Sequence, residues 1–255
     1  MTTLSVVIPV LNDGEMLRRV LADLAAQTRP ADELIVVDNG STDDTGDVAR
    51  GAGAIVLLQP VKGIMSAAAT GYDAATGDVI ARLDADSRPY PDWLERIERE
   101  FDSSPAIGVL TGPGDFYGAR AWVNWIAEHL YIGAYFNVVG PWLTNVPVFG
   151  SNFAMRRSVW QETSPLVHRD TPHVHDDLDL ALHLPLDVVT RYDHTLRVGV
   201  SARPFDSWSG LWQRVAWAFV TFKLHWPDAS PWARRAARRR LFRAEAAKRQ
   251  DYLSR

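Results

Sequence analysis

The chain has 255 residues, of which 47% are hydrophobic and 23% are charged, a balance typical of globular proteins with a substantial core. It contains no cysteine, which excludes disulfides and thiolate metal sites and suits a reducing cytosol. The net charge of −4 is uneven, because residues 234–255 carry nine Lys or Arg and only two acidic side chains. An acidic body with a basic tail favours an anionic partner, either a membrane surface or a nucleic acid.

The first half of the chain alternates predicted strands with predicted helices. Short apolar runs predict strands at 4–10, 33–38, 54–58, 79–83 and 107–111. Apolar residues at helical spacing predict helices at 13–27, 64–75 and 92–101, and Ser41 or Thr42 can cap another that runs through Arg50. This alternation predicts a parallel sheet. The opening MTTLSVVIPV has no basic region or cleavage site, so a strand is expected there and not a signal peptide.

Residues 130–149 form a stretch without any charged side chain. Its length is sufficient to span a bilayer. However, Gly133, Gly140, Pro141 and Pro147 interrupt it. We therefore expect a buried or interfacial aromatic segment here in preference to a membrane span.

Asp84 and Asp86 directly follow the apolar run at 79–83. If that run is a buried strand, the pair lies at its carboxyl end, where open α/β sheets bind ligands. Two carboxylates there can hold a hard divalent cation that neutralises a diphosphate. The alternative is a solvated turn, since such pairs also occur by chance.

Other polar residues follow the same sheet edge. Asp38 ends the second predicted strand and can bind a base or a ribose, or form a turn before Gly40. Asp176 and Asp177 lie at the start of a short predicted helix, where they can cap it or supply a general base. The stretch from Gly150 to Asn152 fits a loop that lines a cleft, or a plain turn.

Five segments occur in a characteristic order: VVIPVLND, VVDNGSTDDT, ARLDADSRPYPDWL, FGSNFAMRRSVW and HDDLDLALHL. Together they resemble the family 2 glycosyltransferases of the GT-A fold, over roughly residues 4–185. The resemblance implies an α/β fold with a predominantly parallel nucleotide-binding sheet and helices on both faces. We expect this domain at 1–205 and a helical C-terminal extension at 206–255. The implied activity is inverting sugar transfer from a nucleotide-diphosphate sugar, such as a UDP- or GDP-sugar.

The resemblance also implies roles for individual residues. Asp177 is expected to be the catalytic base, and Asp86, with Asp84, the site of Mg²⁺ or Mn²⁺. The residues that the resemblance implies for donor contact are Pro9, Asp38, Asp84, Gly150, Ser151, Asn152 and Asp176. Lys62 is a further expected donor contact, on account of its charge. His194 is the histidine whose position best suits completion of the metal sphere.

The match to the family has gaps. An Arg-Asn pair usual after the third strand is replaced by Ala68 and Ala69, and Lys62 could supply the missing charge. His183 stands where an arginine usually follows the acidic pair. The sequence around Arg214 departs from the Q-x-x-R-W pattern of processive members, which argues against a polymerising synthase.

The C-terminal region is predicted to form an aromatic helix at 209–226 and a basic helix at 233–248. These helices can pack on the domain or lie on an anionic membrane surface. No base-reading module is present in the sequence, so no specific nucleic acid is expected. We expect a cytoplasmic protein that is peripheral on the inner face of the cytoplasmic membrane, with a lipid-linked or membrane-presented acceptor.

Two other functions fit parts of the pattern. A noncatalytic, membrane-associated protein that binds nucleotide sugars is favoured by the Ala68-Ala69 departure. A nucleotidyltransferase also uses an α/β sheet and acidic metal ligands, but it normally has a Gly-rich, basic phosphate loop early in the chain, and VVIPVLND is not one.

Overall fold

The computed structural model describes residues 1–118, 133, 135–171, 173–203 and 208–253. The strands are β1 (Leu4–Val10), β2 (Glu33–Asp38), β3 (Ile55–Leu58), β4 (Val79–Arg82), β5 (Arg88–Pro89), β6 (Ile107–Thr111), β7 (Gly114–Tyr117), β8 (Phe153–Arg156), β9 (Val189–Tyr192) and β10 (Val198–Ser201). The helices are α1 (Gly14–Ala25), α2 (Thr45–Gly51), α3 (Ile64–Ala74), α4 (Trp93–Ser103), α5 (Gly140–Leu143), α6 (Arg157–Thr163), α7 (Asp176–His183), α8 (Trp208–Leu224) and α9 (Pro231–Leu253). A π-helical turn at Tyr135–Val139 precedes α5.

Seven strands form the main sheet, in the order β3-β2-β1-β4-β8-β6-β9. Neighbouring strands are parallel except for β8, which runs antiparallel to β4 and β6. Because β8 is reversed, its first residue, Phe153, pairs with Arg82 at the end of β4. The loop before β8 is therefore brought beside the loop after β4. The predicted α/β fold with a predominantly parallel sheet is confirmed.

Alternate residues of β1 enter two separate cores, as the two-residue period of a strand requires. Leu4, Val6 and Ile8 pack in one core with residues of α1 and α4, whereas Val7 packs in the other with α3 and α7. Helix α3 lies close against the sheet at Gly71, where an added Cβ would come within 2.4 Å of Val7 Cγ1. Helices therefore cover both faces of the sheet, as expected.

The C-terminal helices pack against the second core. Ala218 and Phe222 of α8 contact it. Arg234 of α9 is buried and donates to the backbone carbonyls of Leu143 (2.9 Å) and Leu182 (2.6 Å). Burial, with a smaller effect from the charge of Arg238, lowers the pKa of Arg234 to about 10. The division at 205 and 206 stays a prediction, but these side chains join the extension to the domain.

The uncharged stretch at 130–149 includes residues 130–132 and 134, which lie outside the described residues. Its later part is buried at Leu143, Val148 and Phe149, which agrees with the expected buried segment. Among the helices that the structure describes, none is both long and apolar enough to cross a membrane.

Candidate active site

The predicted acidic pair lies at the carboxyl edge of the main sheet, just after β4. Both carboxylate oxygens of Asp84 have partners: Oδ1 accepts from Arg82 Nη2 at 2.9 Å, and Oδ2 accepts from Ser151 Oγ at 2.5 Å. Ser151 reaches Asp84 because the antiparallel β8 begins at this edge. Two motifs far apart in sequence thus meet through a direct hydrogen bond.

Arg82 connects the acidic pair to helix α7. Its side chain is only 2% exposed, and Nη1 lies 2.5 Å from Asp176 Oδ2 while Nη2 bonds Asp84. Burial alone would lower the pKa of Arg82, but the charges of Asp176 and Asp84 help raise it well above its ordinary value. A guanidinium presents several donors in a rigid fork, which allows it to hold two carboxylates at once. Arg82 therefore fixes the distance between Asp84 and Asp176.

Asp177 is buried at the first turn of α7, facing the loop before β8. Its Oδ2 accepts from the Gly150 backbone N–H at 2.9 Å, and its Oδ1 lies 2.6 Å from His175 Nδ1. Burial by itself would raise the pKa of this carboxyl, but His175 and the Gly150 hydrogen bond hold the pKa below its ordinary value. Asp177 is therefore ionised at neutral pH and able to accept a proton.

Asp86 faces a second cation. Arg203, two residues beyond β10, places Nη2 2.8 Å from Asp86 Oδ2 and 2.6 Å from Asp13 Oδ2. Burial and the charge of Asp84 raise the pKa of Asp86, against the opposing effect of Arg203. The Tyr117 hydroxyl also donates to the Asp86 backbone carbonyl at 2.6 Å.

This donor set fits a hard divalent cation. Carboxylate oxygens are the ligands that Mg²⁺ and Mn²⁺ prefer. Burial and the neighbouring charge of Asp84 raise the pKa of Asp86, and a bound cation would favour its ionised form. The Arg203 guanidinium lies among these carboxylates. A bound cation would therefore share the carboxylates with Arg203 or compete with it for them.

Two predicted donor contacts lie on the neighbouring strands. Pro9 is buried within β1, paired with Val37 of β2. Asp38 ends β2 and is buried, and its Oδ1 accepts from the Ser41 backbone N–H at 2.7 Å. The turn alternative for Asp38 is therefore present in the structure, and a contact with a base or ribose stays a prediction.

Asn152 is wholly buried, and its side-chain amide forms hydrogen bonds within the protein. It accepts from Trp93 Nε1 at 2.9 Å and donates to the carbonyls of Pro113 and Leu196 at 2.9 and 2.6 Å. These bonds hold the loop in shape. A direct contact between Asn152 and a donor stays a prediction.

Lys62 and His194 are both exposed. Lys62 lies in the loop between β3 and α3, whose course is fixed by Asn39: its amide donates to the Val61 carbonyl at 2.7 Å and accepts from Gly63 N–H at 2.8 Å. His194 lies in the turn between β9 and β10 and belongs to neither of the His and Asp clusters found among the described residues. Its place in a metal sphere stays a prediction.

Solved structures share this architecture. Glucosyl-3-phosphoglycerate synthase from Mycobacterium tuberculosis, solved with Mn²⁺, UDP and glucosyl-3-phosphoglycerate, matches with a TM-score of 0.59 at 22% identity, over 86% of this chain and 80% of that one. Staphylococcus aureus TarS 1–349, solved with UDP-GlcNAc, matches with a TM-score of 0.63 at 16% identity, over 79% and 59%. At such identities the likeness establishes the fold alone. The class is that of the GT-A glycosyltransferase fold.

The sequence comparison is more specific. Residues 5–163 match the model of Glycosyl transferase family 2, and the chain belongs to that family. Glycosyltransferase AglE of Haloferax volcanii is 37% identical over 100 residues, covering 36% of this chain and 33% of AglE. The undecaprenyl-phosphate 4-deoxy-4-formamido-L-arabinose transferase of Sodalis glossinidius is 34% identical over 103 residues, covering 36% and 32%. The chain thus spans about a third of the length of each of these two relatives.

Proposed function

We propose that this protein transfers a sugar from a nucleotide-diphosphate sugar to an acceptor hydroxyl, with inversion at the anomeric carbon. The observation that carries the proposal is one connected network at the sheet edge. It runs from Ser151 to Asp84, through Arg82 to Asp176, and its neighbour Asp177 bonds Gly150. Three of the motifs that identify the family thus share a single hydrogen-bonded unit, which supports a common chemical task.

Within this unit Asp177 is the proposed base. It would remove the proton from the acceptor hydroxyl, whose oxygen attacks the anomeric carbon from the face opposite the leaving diphosphate. The Gly150 N–H and His175 hold the carboxylate in place, and such positioning supplies much of the rate.

The donor is proposed to bind at the rest of the carboxyl edge of the sheet. Asp38 and Asp84 would orient the nucleotide, and Asp86 with Asp84 would hold Mg²⁺ or Mn²⁺. When bound, the cation supplies charge neutralisation of the diphosphate. The Mn²⁺ in the solved synthase of the same fold is consistent with this choice, and UDP compounds occur in both solved neighbours. Of the two donor nucleotides expected, UDP and GDP, these neighbours favour UDP.

A thermal-shift screen tests the donor site. UDP, GDP, TDP and CDP are each added with Mn²⁺ or with EDTA. A ligand that binds only the folded state raises the melting temperature in proportion to the logarithm of its concentration over Kd. We expect one nucleotide to raise the melting temperature only with Mn²⁺. In Asp86→Asn, its Mn²⁺-dependent affinity should fall about tenfold or more, which corresponds to about 1.4 kcal/mol of binding free energy.

Asp47→Asn is the matched control, because Asp47 is an exposed carboxylate on α2 that pairs with Arg50 at the surface. It should respond to nucleotide and Mn²⁺ like the unmodified protein. An equal Mn²⁺ response in Asp86→Asn would remove Asp86 from the site. The absence of a shift with every nucleotide would contradict the donor class itself.

The proposed acceptor is lipid-linked or presented at a membrane surface. One relative is named for transfer to undecaprenyl phosphate. In this chain, exposed aromatic side chains on α8 and α9 include Trp212, Phe219 and Trp232. Arg235, Arg239, Arg240 and Arg243 of α9 are also exposed. Aromatic and basic side chains together are typical of helices that lie in a membrane interface.

Vesicle sedimentation tests this arrangement. The protein should sediment with vesicles rich in phosphatidylglycerol at low salt and dissociate as salt rises, because each basic residue near an anionic surface contributes about 1 kcal/mol. The double variant Arg239→Glu, Arg240→Glu should weaken binding at least about tenfold. Leu58→Ala is the control, since Leu58 is an exposed apolar residue on the edge strand β3. Failure of the unmodified protein to sediment would overturn the membrane proposal and leave the donor site untouched.

A further inference from the structure

A second polar cluster lies on the same helix as Asp177 but takes no part in the network at the sheet edge. It consists of His168, from the loop between α6 and α7, Asp179 and His183 of α7, and His225, which directly follows α8. Each residue offers one donor atom, and these atoms all lie within 4.8 Å of one another. Three segments of the chain therefore converge on one carboxylate.

Asp179 is the centre of the cluster and is wholly buried. Its Oδ2 accepts from the His168 backbone N–H at 2.9 Å, which fixes the orientation of the carboxylate. Its Oδ1 faces the imidazoles, 2.8 Å from His168 Nδ1 and 3.3 Å from His225 Nε2. The His225 separation matches the distance of about 3.3 Å between two donor atoms on one tetrahedral zinc ion, given metal–ligand distances of about 2.0–2.1 Å. The His168 nitrogen lies closer, at hydrogen-bond distance from the carboxylate.

Backbone contacts set the protonation of two of the rings. His183 Nδ1 lies 2.9 Å from the Asp179 carbonyl oxygen, and His225 Nδ1 lies 2.7 Å from the Thr221 carbonyl oxygen. A carbonyl oxygen can only accept, so each Nδ1 carries the hydrogen, and the lone pair of the neutral ring is on Nε2. Metal-binding histidines are held in this way, with the second nitrogen donating to a backbone carbonyl.

His225 brings a buried nitrogen without a hydrogen bond into the cluster. Its side chain is only 7% exposed, and among the described residues Nε2 finds no partner in hydrogen-bond geometry. Unpaired polar atoms are costly in an interior. When the ring is neutral, its buried lone pair points at a carboxylate oxygen that also only accepts. A cation between these two atoms would satisfy both.

We propose that His168, Asp179, His183 and His225 form a structural zinc site. Three imidazole nitrogens and one carboxylate oxygen are a donor set that suits Zn²⁺, and four protein ligands are typical of structural zinc. The site differs from the one proposed at Asp86, where Asp84 and Asp86 supply carboxylate donors. His168 is 32% exposed, which leaves a path by which the ion can enter.

The position of the site indicates what the ion does. Asp179 and His183 belong to α7, which also carries Asp177, whereas His225 belongs to the C-terminal extension. Zinc would therefore tie α8 to the helix that bears the proposed base. Because folding and metal binding are coupled at such sites, the ion would add directly to stability.

Metal analysis tests the proposal independently of any transferase activity. The 255-residue chain, loaded with ZnSO₄ and dialysed against metal-free buffer at neutral pH, should retain one zinc per chain by elemental mass spectrometry. Removing zinc with a chelator should lower the melting temperature, and adding it back should restore it. Loading with Co²⁺ should give the visible absorption of a four-coordinate ion.

Variants assign the ligands. His168→Ala changes the most exposed ligand and should fold, yet it should weaken zinc binding by more than the roughly 10–100-fold lost when only an outer partner of a ligand is removed. His225→Ala should also lose the Co²⁺ spectrum. Both should keep the Mn²⁺-dependent response to nucleotide. His173→Asn is the matched control, since His173 is exposed, lies outside the cluster, and has a positive φ that Asn tolerates.

Two outcomes would contradict the zinc site. If the folded protein retains less than about a tenth of an equivalent of zinc, or if His168→Ala binds it as tightly as the unmodified chain, the cluster is a hydrogen-bonded group in which a proton on His225 replaces the metal. Either finding overturns the zinc site.

Discussion

Replacing Asp177 with Asn should lower the rate of sugar transfer by about 10²–10⁴-fold, the contribution typical of a general base. The carboxylate is ionised at neutral pH because its pKa lies below the ordinary value, whereas an amide cannot take the proton of the acceptor hydroxyl. Nucleotide binding in the presence of Mn²⁺ should stay largely intact. Two measurements check this. The first is the transfer rate with the donor that the nucleotide screen identifies, and the second is the shift in melting temperature with that nucleotide.

The substitution is conservative enough to isolate the proton transfer. The amide oxygen of Asn can still accept from the Gly150 N–H, the bond that Asp177 Oδ2 accepts at 2.9 Å. Its NH₂ group would face the neighbouring His175 nitrogen, which accepts when the ring is neutral. Asp187→Asn, at an exposed turn after α7, should leave both readings unchanged. Equal loss of binding and transfer in Asp177→Asn would assign a structural role to this residue.

Local patterns predicted the alternating strands and helices of the first half of the chain, and the family resemblance implied the rest of the fold. The strands Leu4–Val10, Glu33–Asp38 and Ile107–Thr111 have the predicted ends, because each is a short apolar run between clear turn signals. The position of the acidic pair also follows from local sequence, since a carboxylate after a buried parallel strand must lie at the carboxyl edge. The reversal of β8, which brings Ser151 to Asp84, has no local signal and depends on the whole sheet.

Arg82 and Arg203, the two cations that organise the site, were not predicted from the sequence. Arg82 is the single charge within the apolar run VIARL at 79–83. A charge in a buried strand requires partners, so this signal was available. No sequence signal marked Arg203. It lies more than 110 residues from Asp86 and meets it through the packing of β10. The histidine cluster was equally hidden, because His225 joins His168 and His183 through the docking of α8.

Replacing Arg82 with Met should destabilise the protein more than any other change considered, by about 3–5 kcal/mol. Removing one partner of a buried ion pair leaves an uncompensated charge in the interior, and Arg82 pairs with two carboxylates, of which that of Asp176 is only 9% exposed. Met fills a similar volume, so the effect reports the charge more than the packing. The free energy of unfolding from urea titration at neutral pH measures it.

Two control variants distinguish the loss of the buried network from the loss of an arginine as such. Arg191→Met removes a half-exposed ion pair with Glu100 and should cost at most about 1 kcal/mol. Arg82→Lys keeps the charge but not the fork that holds two carboxylates, so its loss should be intermediate.

A double-mutant cycle with Asp176→Asn then measures the coupling itself. Removing the buried carboxylate as well as the guanidinium relieves the unpaired charge, so the double variant should be more stable than the sum of the single effects predicts, by about 1–3 kcal/mol. Additive effects would mean that Arg82 and Asp176 act separately. The connection between the acidic pair and α7, on which the proposed catalytic unit depends, would then be absent.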